Sequence, residues 1–196
     1  MPLQTTGYTA SSPLHYLLDA GAIYKNLVYD EATGEFMGDL LGATSGGNEF
    51  ALTQETRIIE VDGLKGQGKG NVVIDSETPS LTVNLKEITA NNLALAIAGS
   101  NVDTTDTNYD IITTKGKIEL TDYLTNIAFV GRISGSTKPV VITIDNAISL
   151  EGLTISTQDK AEAVIPVVFT GHYDENNVES GAAPFRIYFP KETPQA

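Results

Sequence analysis

The sequence holds no cysteine. That absence excludes a disulfide scaffold, a thiolate metal site and a cysteine nucleophile, and it fits a chain made in a reducing compartment. Positive charge is also scarce: 12 Lys and Arg stand against 25 Asp and Glu, a formal net charge of −13. Such a surface repels phosphate, so ordinary nucleic-acid binding and docking on anionic membranes are not expected. Long apolar runs are missing, and no stretch approaches the roughly 20 residues of a membrane-spanning helix. The opening MPLQTTGYTASS has no basic segment followed by an apolar run, so it is not expected to be a signal peptide. Histidine occurs only at His15 and His172.

What is present is enough to fold. At 196 residues with 41% apolar side chains, one domain over 1–196 with a proper core is expected, with an N-terminal arm over 1–12 and a frayed tail over 191–196. Strict alternation dominates. In Ser80-Leu81-Thr82-Val83-Asn84-Leu85-Lys86 every second residue is apolar, the mark of a strand with one wet face. Ile127, Phe129 and Ile133 repeat this with Gly131 inward, as do Val140, Ile142 and Ile144, then Ile148 and Leu150. Past Gly152 the parity passes to Leu153 and Ile155, which predicts a turn or bulge at Glu151-Gly152. Phe185, Ile187 and Phe189 form a last alternating run between Pro184 and Pro190. Near the start, strand 22–29 and a turn over Asp30 to Gly34 are expected.

Two helices are read. Thr89 is placed to cap one and Gly99 to end it, with Ala90, Leu93, Ala94, Ile97 and Ala98 as its apolar face and Asn91 and Asn92 off that stripe. A second, of about two turns, has Ser12 as cap, Pro13 at its first position and Gly21 at its exit. Two polar connections stand out: 101–108, and the longer stretch from Gly42 to Thr56, which exceeds the usual length of a structureless connection. The fold class is therefore mainly β, a sandwich or barrel with one flanking α-helix at about 90–98 and long assembly loops.

Candidate chemistry is thin. Gly63-Leu64-Lys65-Gly66-Gln67-Gly68-Lys69 has the spacing of a phosphate-binding loop, but Gly70 replaces the hydroxyl residue that holds magnesium. The following Asn71-Val72-Val73-Ile74-Asp75 reads as a strand where such a loop opens a helix. The favoured reading is an inter-strand loop whose glycines supply turn geometry. Asp106-Thr107-Asn108-Tyr109-Asp110 begins like a calcium loop, yet Ile111 and Lys117 stand where Gly and Glu belong. His172-Tyr173-Asp174 offers a base beside a carboxylate without any nucleophile motif. Catalytic residues, cofactor and metal are accordingly not expected.

Several segments, taken in order, carry a resemblance. They are Leu18-Asp19-Ala20-Gly21-Ala22-Ile23-Tyr24-Lys25-Asn26; the loop Gly42-Ala43-Thr44-Ser45-Gly46-Gly47-Asn48-Glu49-Phe50; Arg57-Ile58-Ile59-Glu60-Val61-Asp62-Gly63 before a Lys/Gly-rich loop; and Ile165-Pro166-Val167-Val168-Phe169-Thr170-Gly171-His172-Tyr173-Asp174. Over roughly Leu14 to Pro190 the chain resembles the tail tube (major tail) proteins of long-tailed bacteriophages.

The resemblance implies a β-sandwich or barrel with one helix packed outside. It implies subunits that form rings, commonly hexameric, stacked into a hollow tube that conducts viral DNA. It also implies an acidic lumen in which DNA slides without specific binding, lined by Asp and Glu of wet strand faces, and a flexible, non-contractile tail. Partners would be further copies of the chain and the tape-measure, terminator and distal tail proteins, with no membrane. The location would be the virion tail, after synthesis in the host bacterial cytoplasm. The candidate inter-subunit contacts are Gly42, Thr44, Gly46, Gly47, Asn48, Glu49, Phe50, Glu55, Arg57, Lys65 and Lys69. Two other readings stay open: a non-catalytic binding module (carbohydrate-binding, adhesin or virion decoration domain) and an enzyme, for which the residues offer no constellation.

Overall fold

The computed structural model describes residues 5–191, so the expected tail beyond 191 and the first four residues of the expected arm lie outside the described residues. Strands take up 51% of the described residues and helical residues 9%, which makes the class mainly β. The element order is β1 (Leu17–Asp30), β2 (Glu35–Leu40), β3 (Thr44–Ile58), β4 (Val72–Leu85), α1 (Ala90–Leu95), β5 (Ser100–Asp103), β6 (Ile111–Thr114), β7 (Leu124–Ile133), β8 (Val140–Ser149), β9 (Ser156–Gln158), β10 (Ala161–Thr170), α2 (Glu175–Ser180) and β11 (Phe185–Tyr188).

The main path is a nine-stranded antiparallel sheet in the order β2-β1-β7-β8-β10-β4-β3, with β11 on β8 and β9 on β10; β5 and β6 form a separate pair. The path folds over on itself at β8. Its first residues pair with β7 and β11, and its last two, Ile148 and Ser149, pair with Thr170 and Phe169. Asn146, at φ 48, makes the kink that lets one strand serve both layers. The curled sheet nearly closes, since Asn48 Nδ2 on β3 donates to the Ala20 carbonyl of β1 at 3.1 Å.

The principal core lies between the layers. Ile23, Ile127, Phe129 and Ile144 meet Leu81, Val83, Leu85, Ile165, Val167 and Phe169. A smaller cluster sits on the opposite face of the β1-β7-β8 layer: Leu27, Ala128 and Val141, with Tyr24, Phe36, Val130 and Tyr188 against them. Here β1 bulges after Lys25, and Asn26 takes φ 54. The Asn126 carboxamide fills the gap in the ladder, accepting from Leu27 N at 2.7 Å and donating to Leu27 O at 2.9 Å. A side-chain amide thereby satisfies two buried backbone groups.

The alternation over Ser80–Lys86 is realised, with Leu81, Val83 and Leu85 buried. The turn at Asp30–Gly34 is held by Asp30, which accepts from Ala32 N at 2.9 Å and Thr33 Oγ1 at 2.9 Å.

Other expectations need correction. Ser12–Gly21 is not a helix; only Ser12–His15 is helical, as a 3₁₀ turn, and β1 starts at Leu17. Pairing with distant β7 (Leu17 opposite Ile133) prevails over the local punctuation. The Gly42–Thr56 stretch is not a loop; most of it is β3, paired with β4 from Thr44 to Ile58. Asn101–Asp103 likewise belongs to a strand.

The flanking helix is capped by Thr89, whose Oγ1 accepts from Asn92 N at 3.2 Å, but it ends at Leu95. Its buried member is Asn92, with Ala96 buried just past its end, rather than the expected stripe. Asn92 is drawn inward because its amide donates to Leu41 O at 3.1 Å and Glu87 O at 2.9 Å. In β8 the inward parity slips at Asn146, before Gly152, and Leu150 is exposed. In β11 only Phe185 of the expected apolar row reaches the core; Ile187 and Phe189 are exposed. The short α2 was not expected at all.

Candidate functional site

The candidate contacts fall into two groups. The first lies where β3 crosses the body. Gly42 precedes the strand, and beside it Ala43 N donates to Glu87 Oε2 at 3.0 Å. Gly46 and Gly47, at φ 92 and 86, form a bulge between Thr44, opposite Leu85, and Asn48, opposite Val83. Glycine relieves the strain of that left-handed pair. Asn84 Nδ2 donates to Gly47 O at 2.8 Å and fastens the bulge to β4. Asn48 bonds Ala20 and Thr44, while Phe50 packs on the core with its ring 5.6 Å from Phe185. Asn48 and Phe50 are thus half-buried and tied into the body of their own subunit. Glu49, opposite Thr82, stays exposed.

The second group lies where β3 and β4 run on beyond the body. From Thr53 to Thr78 nearly every residue is exposed or half-buried. Polar rungs tie the two strands: Gln54 Nε2 to Glu77 Oε1 at 2.6 Å, Ser76 Oγ to Glu55 Oε2 at 2.9 Å, and Arg57 Nε to Asp75 Oδ1 at 2.8 Å. Exposed cross-strand pairs of this kind each contribute only about 0.2–1 kcal/mol, enough together to hold a ribbon. Lys65 and Lys69 stand exposed in the 59–71 loop at the tip, with no ion pair among the described residues.

Sequence reasoning missed the apolar face of this ribbon. Phe50 and Leu52 face the core opposite Leu81 and Pro79. Further out, a bulge opposite Glu55 and Thr56 inserts Asp75 into β4, so that Ile74 pairs with Thr56 and Val72 with Ile58. One extra residue reverses which side chains share a face. The core-side face thus continues past the core as Ile58, Val72 and Ile74, which are 43%, 53% and 53% exposed. Ile59, Val61 and Leu64 at the tip are exposed too. The signal was the cluster Val72-Val73-Ile74 ending at Asp75, where alternation breaks.

The remaining motifs are occupied structurally. Gly63, Gly66 and Gly70 take positive φ in a connection between antiparallel strands, with β4 where a phosphate loop would have a helix. Asp106 Oδ1 accepts from Asn108 N and Tyr109 N at 2.7 and 3.0 Å, which shapes a turn. No cluster of three or more His, Asp or Glu side chains placed to hold a metal occurs among the described residues. His172 lies beyond the end of β10; its Nδ1 is 3.0 Å from Thr170 O and its ring meets Tyr123 edge-on at 5.3 Å. Asp145 is pushed above the ordinary carboxylate range by burial, against the pull of Arg186 at 3.3 Å.

Fold and surface together define an open antiparallel sandwich with a protruding amphipathic hairpin. No protein-family model matches the chain, and no curated protein matches it.

Proposed function

We propose that this chain is a structural subunit that polymerises with copies of itself, forming stacked and commonly hexameric rings, the hollow tail tube of a long-tailed bacteriophage. The observation that carries the reading is the projecting hairpin. Its apolar face, Ile58, Val72 and Ile74, is about half exposed and belongs to neither core cluster of the described residues, and exposed contiguous apolar surface marks interaction sites. Two further features support it. β2 and β3 end the sheet path, so each offers a free main-chain edge, the template by which neighbours add strands. A heterologous contact of that kind closes into a ring when its rotation permits. The charge of −13 per subunit would give an assembly whose walls repel phosphate, which suits DNA in transit.

In this reading tape-measure, terminator and distal tail proteins meet the ends of the tube, and the virion tail is the site of action. Negative-stain electron microscopy of the purified chain, with light scattering across concentrations, tests it. Rings or hollow tubes are the expected result. A monomer at every concentration, even after addition of a tail initiator complex, would count decisively against it.

A further inference from the structure

We infer that the cleft between α1 and the segment 120–124 binds a carboxylate carried on a small, partly apolar body. The cleft has a volume of about 320 Å³, at the lower end of the range for small-ligand sites. Besides Asn91, Thr121 and Tyr123, four polar side chains line it, two of them already committed.

Asp122 is committed. Its Oδ1 takes Lys115 Nζ at 2.5 Å and its Oδ2 takes Glu119 N at 2.8 Å. Ser100 is committed as well, donating to Ala94 O at 2.9 Å.

Ser149 is not. It is 1% exposed, lines the cleft, and its Oγ has no hydrogen-bond partner. An unpaired buried hydroxyl costs about 1–3 kcal/mol, so its presence calls for a partner. Lys25 is the one cation among the described residues that line the cleft. It stands opposite Ile127 on β1, two residues from Ile23, so it springs from the core-side face of the strand. It lines the same cleft and forms no ion pair among the described residues, in a chain where acids outnumber bases 25 to 12.

An ammonium and a hydroxyl donor left free in one cleft select an anionic acceptor. Leu124, Leu95 and Phe169 line the same cleft and are apolar, which suits a short hydrocarbon or aromatic body. The carboxylate comes either from a free small acid or from an Asp or Glu of a second copy of the chain. The first source is independent of the tube reading; the second rests on self-association.

The test is an amide-resolved NMR titration of the dilute wild-type chain with butyrate and benzoate. Butyramide and benzamide serve as uncharged controls, and Lys25→Met, Lys25→Arg and Ser149→Ala are run alongside. Melting temperatures establish that each variant folds, and sedimentation reads self-association. Saturable shifts at Leu124 and Ser149 with the acids alone are expected. Lys25→Met should weaken them about 10–100-fold, the value of a charge-assisted hydrogen bond, and Lys25→Arg should retain most of the affinity. If the acids do not bind but Lys25→Met weakens self-association at an unchanged melting temperature, the site stands and a second copy supplies the carboxylate. Equal binding of acids and amides, or no binding with unaltered self-association, would overturn the inference.

Discussion

The same two strands behave differently at their two ends. Within the body, β3 and β4 bury Leu81, Val83 and Leu85 against the opposite layer, and Phe50 closes the edge of that core. Beyond Leu52 and Pro79 the pairing runs on, through one bulge at Asp75, to Ile58 and Val72, but these residues belong to neither core cluster of the described residues. The inner half is held by burial, the outer half by its ladder and by polar rungs such as Arg57 to Asp75. Stability should therefore fall steeply along one continuous hairpin. The bulge at Asp75 turns Ile74 and Val72 onto the core-side face at a place where this chain has no core to offer. That arrangement is costly for an isolated subunit and useful for one that meets copies of itself.

The largest effect is expected in the body. Phe169→Ala removes a side chain that is 1% exposed at the centre of the core. It should cost about 3–5 kcal/mol in a denaturant titration. A much smaller loss would mean that the two layers are not jointly packed.

Asn126→Ala comes next. It strips both hydrogen bonds from the buried Leu27 backbone, for an expected loss of about 2–3 kcal/mol. Denaturation of Asn126→Asp, which keeps the acceptor and loses the donor, should show a cost of the same sign.

A third effect depends on pH. The Lys115 ammonium holds the Asp122 carboxyl below its ordinary range, and Lys117 with Lys115 does the same for Glu119. A depressed carboxylate contributes stability that is complete above its ordinary value and is lost as pH falls through the depressed one. Lys115→Met should remove part of the stability difference between neutral and acid solution. Melting curves at several pH values check this, and an unchanged difference would show that the cluster is not coupled to folding.

The smallest effect on the subunit belongs to the tip. Lys65→Glu with Lys69→Glu should shift stability by no more than about 0.5 kcal/mol, as exposed substitutions do. If the chain assembles as proposed, the pair should shorten or abolish the tubes, because it reverses an isolated positive charge on an acidic chain. Tubes of unchanged length in electron micrographs would remove the lysines from the interface.

What could be read from the sequence follows the same division. Ser80–Lys86 was legible because a strand with one wet face alternates, and the cap at Thr89 because its signal is local. Ser12–Gly21 misled because strong local punctuation yields to pairing with residues more than a hundred positions away. β3 was hidden by its Gly46-Gly47 bulge and by polar residues on both faces, which imitate a loop. Of the candidate contacts, Glu55, Arg57, Lys65 and Lys69 do lie on the projecting ribbon, while Asn48 and Phe50 are bound into the body. The apolar ribbon face was illegible because it depends on a register shift, and register is a property of two strands together.

The most direct test compares the wild-type chain with Ile58→Ser, Val72→Thr, Ile74→Thr combined, by sedimentation velocity and electron microscopy of equal concentrations. These residues leave the core untouched, so both proteins should melt at nearly the same temperature. Polymers are expected from the wild type and monomers from the triple variant. Polymers of equal abundance from both would contradict it.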